Sequence, residues 1–205
     1  MKNIFLKITF AIITAVSFVS CDVAETDIPT VFKYAYNEGF STSTTGSGAV
    51  EVPITLTGWV NHNATSTRLW HARVFTGDNY AEFSSFYSAA GTNDVAWLIT
   101  PAIDLTSTTG EILSFTTKTR FSNGYPMTAF ISTNYNGTTA GIPTATWTPL
   151  TFATPSANDV IVSSGNIDIS AYNSNNVRIA FKYTGSKTGG VTTTCQLDNI
   201  KITKN

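Results

Sequence analysis

Apolar and polar residues alternate along much of this chain with a period of two, the spacing that gives a strand one face for a core and one for solvent. The cleanest run sets Val177, Ile179, Phe181 and Tyr183 against Arg178, Ala180 and Lys182. Val50, Val52, Ile54 and Leu56 alternate in the same way, and Pro53 within that run predicts an edge strand, because proline cannot donate to a ladder. Further strands are predicted over 31–36, 68–75 (Trp70, Ala72 and Val74 on one face), 80–87, 112–120, 127–133 and 147–152. The 112–120 and 127–133 pair flanks Ser122-Asn123-Gly124 and predicts a hairpin, since Asn-Gly tolerates positive φ. At the centre stands Ala96-Trp97-Leu98-Ile99-Thr100-Pro101-Ala102-Ile103-Asp104-Leu105, a buried strand stopped by proline and followed by a second apolar pair. Ile167-Asp168-Ile169 repeats its Ile-Asp-aliphatic step. In the last strand Cys195 and Leu197 share one face while Ile200 and Ile202 fall on the other. A β-bulge at Asp198-Asn199 would restore all four to the core.

About ten short strands separated by turn residues, with no run of helical period, predict an all-β sandwich. The first and last strands are expected side by side, as in jelly rolls. Composition agrees: 35 threonines suit pleated surfaces, and only 12% of residues are charged. Twelve Lys plus Arg against thirteen Asp plus Glu leave no basic surface for nucleic acid.

The N-terminus adds a location. Lys2 and Lys7 precede the apolar run Ile8 to Val19, which is too short to span a bilayer and reads as a signal peptide over 1–20. It ends in Phe18-Val19-Ser20-Cys21, which resembles a bacterial lipoprotein signal, with Cys21 lipidated and becoming the new N-terminus. Several acyl chains on one residue would give stable membrane anchoring. Residues 21–30 then form an acidic lipidated tether, and 31–205 a single β-sandwich domain of ample size for one core. Asp22 after the cysteine is compatible with retention in the inner membrane or with export to the surface. A Cys21–Cys195 disulfide is the alternative use of the two cysteines.

Candidate chemistry is sparse. Cys195 with His62 or His71 as base would make a nucleophile pair, but no local motif supports it, and a small apolar residue in a core strand is the simpler reading. Two histidines are too few for a zinc site without spaced partners. There is no nucleophile elbow and no phosphate loop, and the carboxylates fit turns and strand ends better than a glycosidase pair, so no enzyme is predicted. Of the four tryptophans, Trp70 and Trp97 lie within strands and read as core. Trp59, Trp147, Tyr125 and Tyr135 lie beside turns, where aromatic faces could stack on sugars.

The order of short motifs carries a family resemblance: Glu38-Gly39-Phe40, Gly58-Trp59, Trp97-Leu98-Ile99-Thr100-Pro101, Leu113-Ser114-Phe115, Ile131-Ser132-Thr133, Thr146-Trp147-Thr148-Pro149-Leu150 and Leu197-Asp198-Asn199-Ile200. Taken together they resemble the choice-of-anchor J domains of Bacteroidetes surface proteins, relatives of the cleaved adhesin domains of gingipains. The resemblance implies a jelly roll like those of MAM domains and carbohydrate-binding modules, often with a structural calcium, and adhesion or ligand binding in place of catalysis. Cys195 departs from the pattern, where an aromatic residue is expected. With the chain ends adjacent, Glu38 and Asp198 are the candidate Ca2+ ligands, completed by backbone carbonyls and by Asp94 or Asp78. The alternative leaves Glu38 solvated and Asp198 bonded to the bulge. The reading is then an outer-membrane lipoprotein at the cell surface that binds a glycan or protein ligand. The alternative is a structural or accessory subunit of a surface assembly with no small ligand of its own.

Overall fold

The computed structural model describes residues 33–204; the leader, Cys21 and the tether lie outside the described residues. Thirteen strands follow in chain order: β1 (Lys33–Glu38), β2 (Val52–Pro53), β3 (Val60–Asn63), β4 (His71–Phe75), β5 (Asp78–Phe83), β6 (Asn93–Ile99), β7 (Ile112–Arg120), β8 (Met127–Ser132), β9 (Thr148–Leu150), β10 (Val162–Ser163), β11 (Ile167–Asp168), β12 (Arg178–Ser186) and β13 (Thr194–Lys204). The described helical segments are two single 3-10 turns, Ser85–Tyr87 and Thr139–Gly141.

The strands form two sheets. The first runs β10-β7-β13-β5-β4-β2, with β1 also on β13 and β11 also on β7; the second runs β3-β6-β12-β8-β9. Their facing sides make the main core. Phe83, Phe115, Leu113 and Leu197 come from the first sheet, and Leu98, Ile131, Ile179, Phe181 and Tyr183 from the second. Rings interlock between the sheets, Phe115 on Phe181 at 5.0 Å and Phe83 on Tyr183 at 4.6 Å, in the offset and edge contacts that aromatic quadrupoles favour. The sandwich expected from the alternation is present.

β1 and β13 are neighbours, Glu38 facing Ile200, and the register of β13 against β7 slips between Asp198 and Lys201, with Asn199 at φ 53°. Cys195, Leu197, Ile200 and Ile202 are all buried, as the inferred bulge requires. The Ile-Asp-aliphatic repeat has a shared local cause. Asp104 Oδ1 accepts from the Thr106 amide and hydroxyl, and Asp168 Oδ1 from the same two groups of Ser170. Each aspartate closes a turn that drops the flanking aliphatics into the core.

Three expectations are corrected. The 112–120 and 127–133 strands are no hairpin: β7 pairs with β13 in the first sheet and β8 with β12 in the second. Asn123 spends its side chain on the neighbouring 190–193 segment, accepting from Thr192 N at 2.9 Å and donating to Gly190 O at 3.2 Å. The connection is therefore an arch between sheets. Of the 50–56 run only Val52–Pro53 pairs, at the edge by β4, and Val50 is exposed. The 80–87 strand stops at Phe83, where the Ser84 hydroxyl accepts from Phe86 N and caps a 3-10 turn.

Candidate functional site

The outward face of the first sheet is unusual for its buried polar groups. Strand register places His71, Glu82, Gln196 and Lys118 in one row across β4, β5, β13 and β7. One step along, Arg73 pairs with Tyr80 and Asp198 with Thr116. Because Ala72, Ala81, Cys195 and Leu197 face the core, alternation turns these residues outward.

Their charges are interlocked. Gln196 Nε2 donates to Glu82 Oε2 at 2.8 Å, and Arg73 Nε lies 3.5 Å from Glu82 Oε1. His71 is 1% exposed, with Nε2 at 3.4 Å from Glu82 and 3.8 Å from Glu51, which also pairs with Arg68. Burial disfavours the charged form of Glu82, but His71, Gln196 and Arg73 outweigh it and hold this carboxyl below its ordinary range.

A groove of about 350 Å³ lies on this face. Its floor is Tyr80, Thr116, Lys118, Gln196 and Asp198, and Phe75 and Ile161 form apolar walls. These walls are 66% and 69% exposed. Such a mixture of fixed polar groups and exposed apolar surface suits ligand recognition.

Asp198 sits at one end of the floor. Asn199 Nδ2 donates to its Oδ2 at 2.8 Å, while Oδ1 is buried and has no hydrogen-bond partner. Burial pushes its carboxyl up to about 6, with the charges of Asp78 and Glu38 adding to the shift. Those two carboxylates are thus brought towards Asp198, although Glu38 Oε1 already accepts from Phe40 N at 2.6 Å. Asp94 is elsewhere, on β6 of the other sheet, and its oxygens accept from Asn63, Ser66, Ser85 and Ser88 at 2.6–2.9 Å. Burial opposes its ionisation, and these bonds more than compensate, holding it below its ordinary range. Among the described residues no three His, Cys, Asp or Glu side chains stand close enough to hold a metal. An orphaned buried carboxylate oxygen with acidic neighbours nevertheless fits calcium, provided carbonyls and water supply most ligands.

The turn aromatics are placed differently from expectation. Tyr135 is fully buried and presents no ring to solvent; its hydroxyl donates to Thr138 O at 2.9 Å. It packs with the half-buried Trp147 at 5.2 Å, and Trp147 with Trp97 at 5.3 Å. The loop between β8 and β9 folds these rings onto the outer face of the second sheet as a separate small core. Trp59 is half-buried against Phe40 at 5.5 Å, and Tyr125 packs edge-on to Phe152. Among the described residues the exposed rings are Tyr34, Phe75, Phe86, Tyr87 and Phe121, none singled out by sequence as ligand-facing. Phe75 and Phe121 each lie directly at a strand end beside turn residues, which was the available signal. Cys195 faces the core, away from His71, and burial pushes its thiol up. It is a packing residue.

A family model described as Domain of unknown function (DUF5017) matches residues 55–204. No curated protein matches the chain. Among solved structures, the K1 cleaved adhesin domain of Lys-gingipain from Porphyromonas gingivalis W83 is similar at 15% identity and TM-score 0.51, over 83% of this chain and 98% of that one. The K3 cleaved adhesin domain of the same protein is similar at 16% identity and TM-score 0.51, over 84% and 98%. These likenesses show a shared fold.

Proposed function

The chain belongs to the family described as Domain of unknown function (DUF5017), and from that premise we propose that it is a non-catalytic binding module for a glycan or protein ligand. The ligand site is the groove on the outer face of the first sheet. The observation that carries this is the combination of Gln196, Tyr80, Thr116 and Lys118, fixed by the sheet, with the exposed walls Phe75 and Ile161. Nothing in the groove is activated as a nucleophile: its polar groups are amide, hydroxyl, ammonium and carboxylate, and the one described cysteine is buried on the opposite side of β13. Such groups can orient a ligand and hold it without changing it.

Around this site the reading extends in three ways. Cys21 carries a lipid anchor that displays the domain at the outer-membrane surface, as its leader pattern supports. A structural calcium bridges the chain ends through Asp198 and Glu38, with Asp78 as a further acidic neighbour; the orphaned Asp198 Oδ1 supports it. The sandwich and the β1–β13 pairing also support kinship with choice-of-anchor J domains.

The test is a glycan array together with pull-down from bacterial and host polysaccharide extracts, run on the wild type and on Phe75→Ala with Ile161→Ala, the two exposed walls. The wild type should bind a defined set of ligands and the double variant should lose them while melting normally. Identical binding by both would remove the groove from consideration. Absence of any ligand for the wild type would favour a structural subunit of a surface assembly.

A further inference from the structure

We propose that the groove is one end of a longer cleft along β13, built for an extended, uncharged oligosaccharide that reaches a second aromatic site at the other end. The proposal rests on the reading of the groove as a ligand site, and extends it in length and chemistry.

The second site is a pocket of about 210 Å³ lined by Phe86, Tyr87, Phe121, Thr192 and Thr194. Its three rings are 57%, 68% and 74% exposed. Aromatic rings gathered in solvent lose the burial that normally stabilises them, which marks such clusters as contact surfaces. Phe121 adds a second, independent sign, because its backbone sits at φ 53°. That region is disfavoured for a bulky side chain. Three-quarters exposed, the ring has little packing beyond the Arg120 guanidinium on its face to offset the strain.

The two sites share one floor. Thr194, Gln196 and Asp198 alternate with the core residues Cys195 and Leu197, so all three point outward from β13. Four residue steps from Thr194 to Asp198 span roughly 13 Å. Arg120 joins the walls: its guanidinium lies 5.2 Å over Phe121 in the second site and pairs at 2.9 Å with Asp159, which lines the first. Arg68 likewise lies 5.3 Å over the Tyr87 ring.

The ligand class follows from what the floor offers. β13 is paired with β7 on one side and β5 on the other, so its backbone has no free edge for adding a peptide strand. An extended ligand must be read by side chains: hydroxyls of Tyr80, Thr116 and Thr194, the Gln196 amide, and rings at both ends. Sugars present that combination, with polar hydroxyls around an apolar ring face. The arginines on this face are each paired, Arg68 with Glu51, Arg73 with Glu82 and Arg120 with Asp159. Lys118 lies against the Phe75 ring at 5.8 Å. A polyanionic chain therefore meets no cluster of free cations here, and an uncharged one is favoured.

Titration calorimetry on the whole chain tests this with neutral β-linked xylo-, manno- and gluco-oligosaccharides, each as disaccharide and hexasaccharide. One hexasaccharide should bind more tightly than its disaccharide. Phe121→Ala and Tyr87→Ala should each weaken the hexasaccharide by roughly five- to a hundred-fold, the range for losing one stacking contact, and leave the disaccharide unchanged. Phe75→Ala should weaken both lengths. Equal hexasaccharide affinity in Phe121→Ala, Tyr87→Ala and wild type would overturn the cleft and leave the groove standing. Failure of the wild type to bind any probe would overturn the oligosaccharide cleft and leave the groove to the array and pull-down, and salt-sensitive binding of polygalacturonate would overturn the uncharged ligand.

Discussion

Asp198 is the residue at which a single side chain links fold to site. It begins the bulge that interrupts the pairing of β13, lines the groove and carries a buried oxygen without a partner. Its raised pKa has a definite sign. A carboxyl at about 6 in the folded state and near 3.9 when unfolded stabilises the fold fully only below about pH 4, and that contribution is lost as pH rises through 6. Asp198→Asn should therefore raise the melting temperature at pH 7 in chelator, and the gain should shrink as pH falls to 4. With calcium the order should reverse at pH 7, because an ion held at the proposed site would stabilise only the folded wild type. A wild type that melts identically in calcium and in chelator would remove the metal and leave only the bulge. Asp94 is the opposite case. Its depressed pKa gives stability that is present above the unfolded value and lost as pH falls through the folded one. Asp94→Ala removes the acceptor shared by four donors, leaves the buried Ser85 and Ser88 hydroxyls without it, and should cost about 2–4 kcal/mol in urea unfolding; a loss under about 0.5 kcal/mol, ordinary for a surface change, would show the hub to be dispensable.

Among the elements, the β7–β8 arch shapes the cleft most directly. It carries Phe121, and it passes the chain from one sheet to the other where a hairpin would have kept both strands in one. Its position depends on Asn123, which binds Gly190, Thr192 and Thr193 across 67 to 70 residues of sequence. Asn123→Ala should lower stability by about 1–2 kcal/mol and weaken hexasaccharide binding through displacement of Phe121. Unchanged melting and binding together would mean that the arch is held by other contacts. The loop between β8 and β9 shows the same principle on the other sheet. Tyr135, Ile142 and Trp147 shield Ala180, Ile99 and Trp97 from water, so their rings are consumed by packing.

For the whole molecule, the two outer faces of the sandwich have different fates. That of the second sheet is partly covered by its own loop, and that of the first stays open with a groove. An open face on a sandwich held by the proposed Cys21 anchor would leave the proposed ligand side free at the surface. Cys21→Ala should move the protein from the membrane fraction to the soluble one and abolish labelling by a palmitate analogue. A wild type that takes up no label, or a variant still found in the membrane, would exclude the anchor.

Period-two alternation by itself determines the sandwich, because a strand's side chains must face opposite ways and the apolar set must be buried. That logic reached even the bulge: Cys195, Leu197, Ile200 and Ile202 can share a core only if one residue is added between them. The pairing of the first and last strands, with Glu38 opposite Ile200, was legible from the jelly-roll order of the strands. The aromatic surface was not. Tyr135 and Phe121 both follow strands beside turn residues, yet one is fully buried and the other 74% exposed. Alternation governs residues within a ladder, whereas a turn residue is buried or exposed according to what the rest of the chain folds over it. The β7–β8 connection was hidden for a related reason. Asn-Gly chemistry permits a tight turn, but the partners of β7 and β8 are strands about 50 to 80 residues further on. Only the assembled tertiary structure decides between local and distant pairing, because that choice depends on which arrangement buries both apolar faces at once.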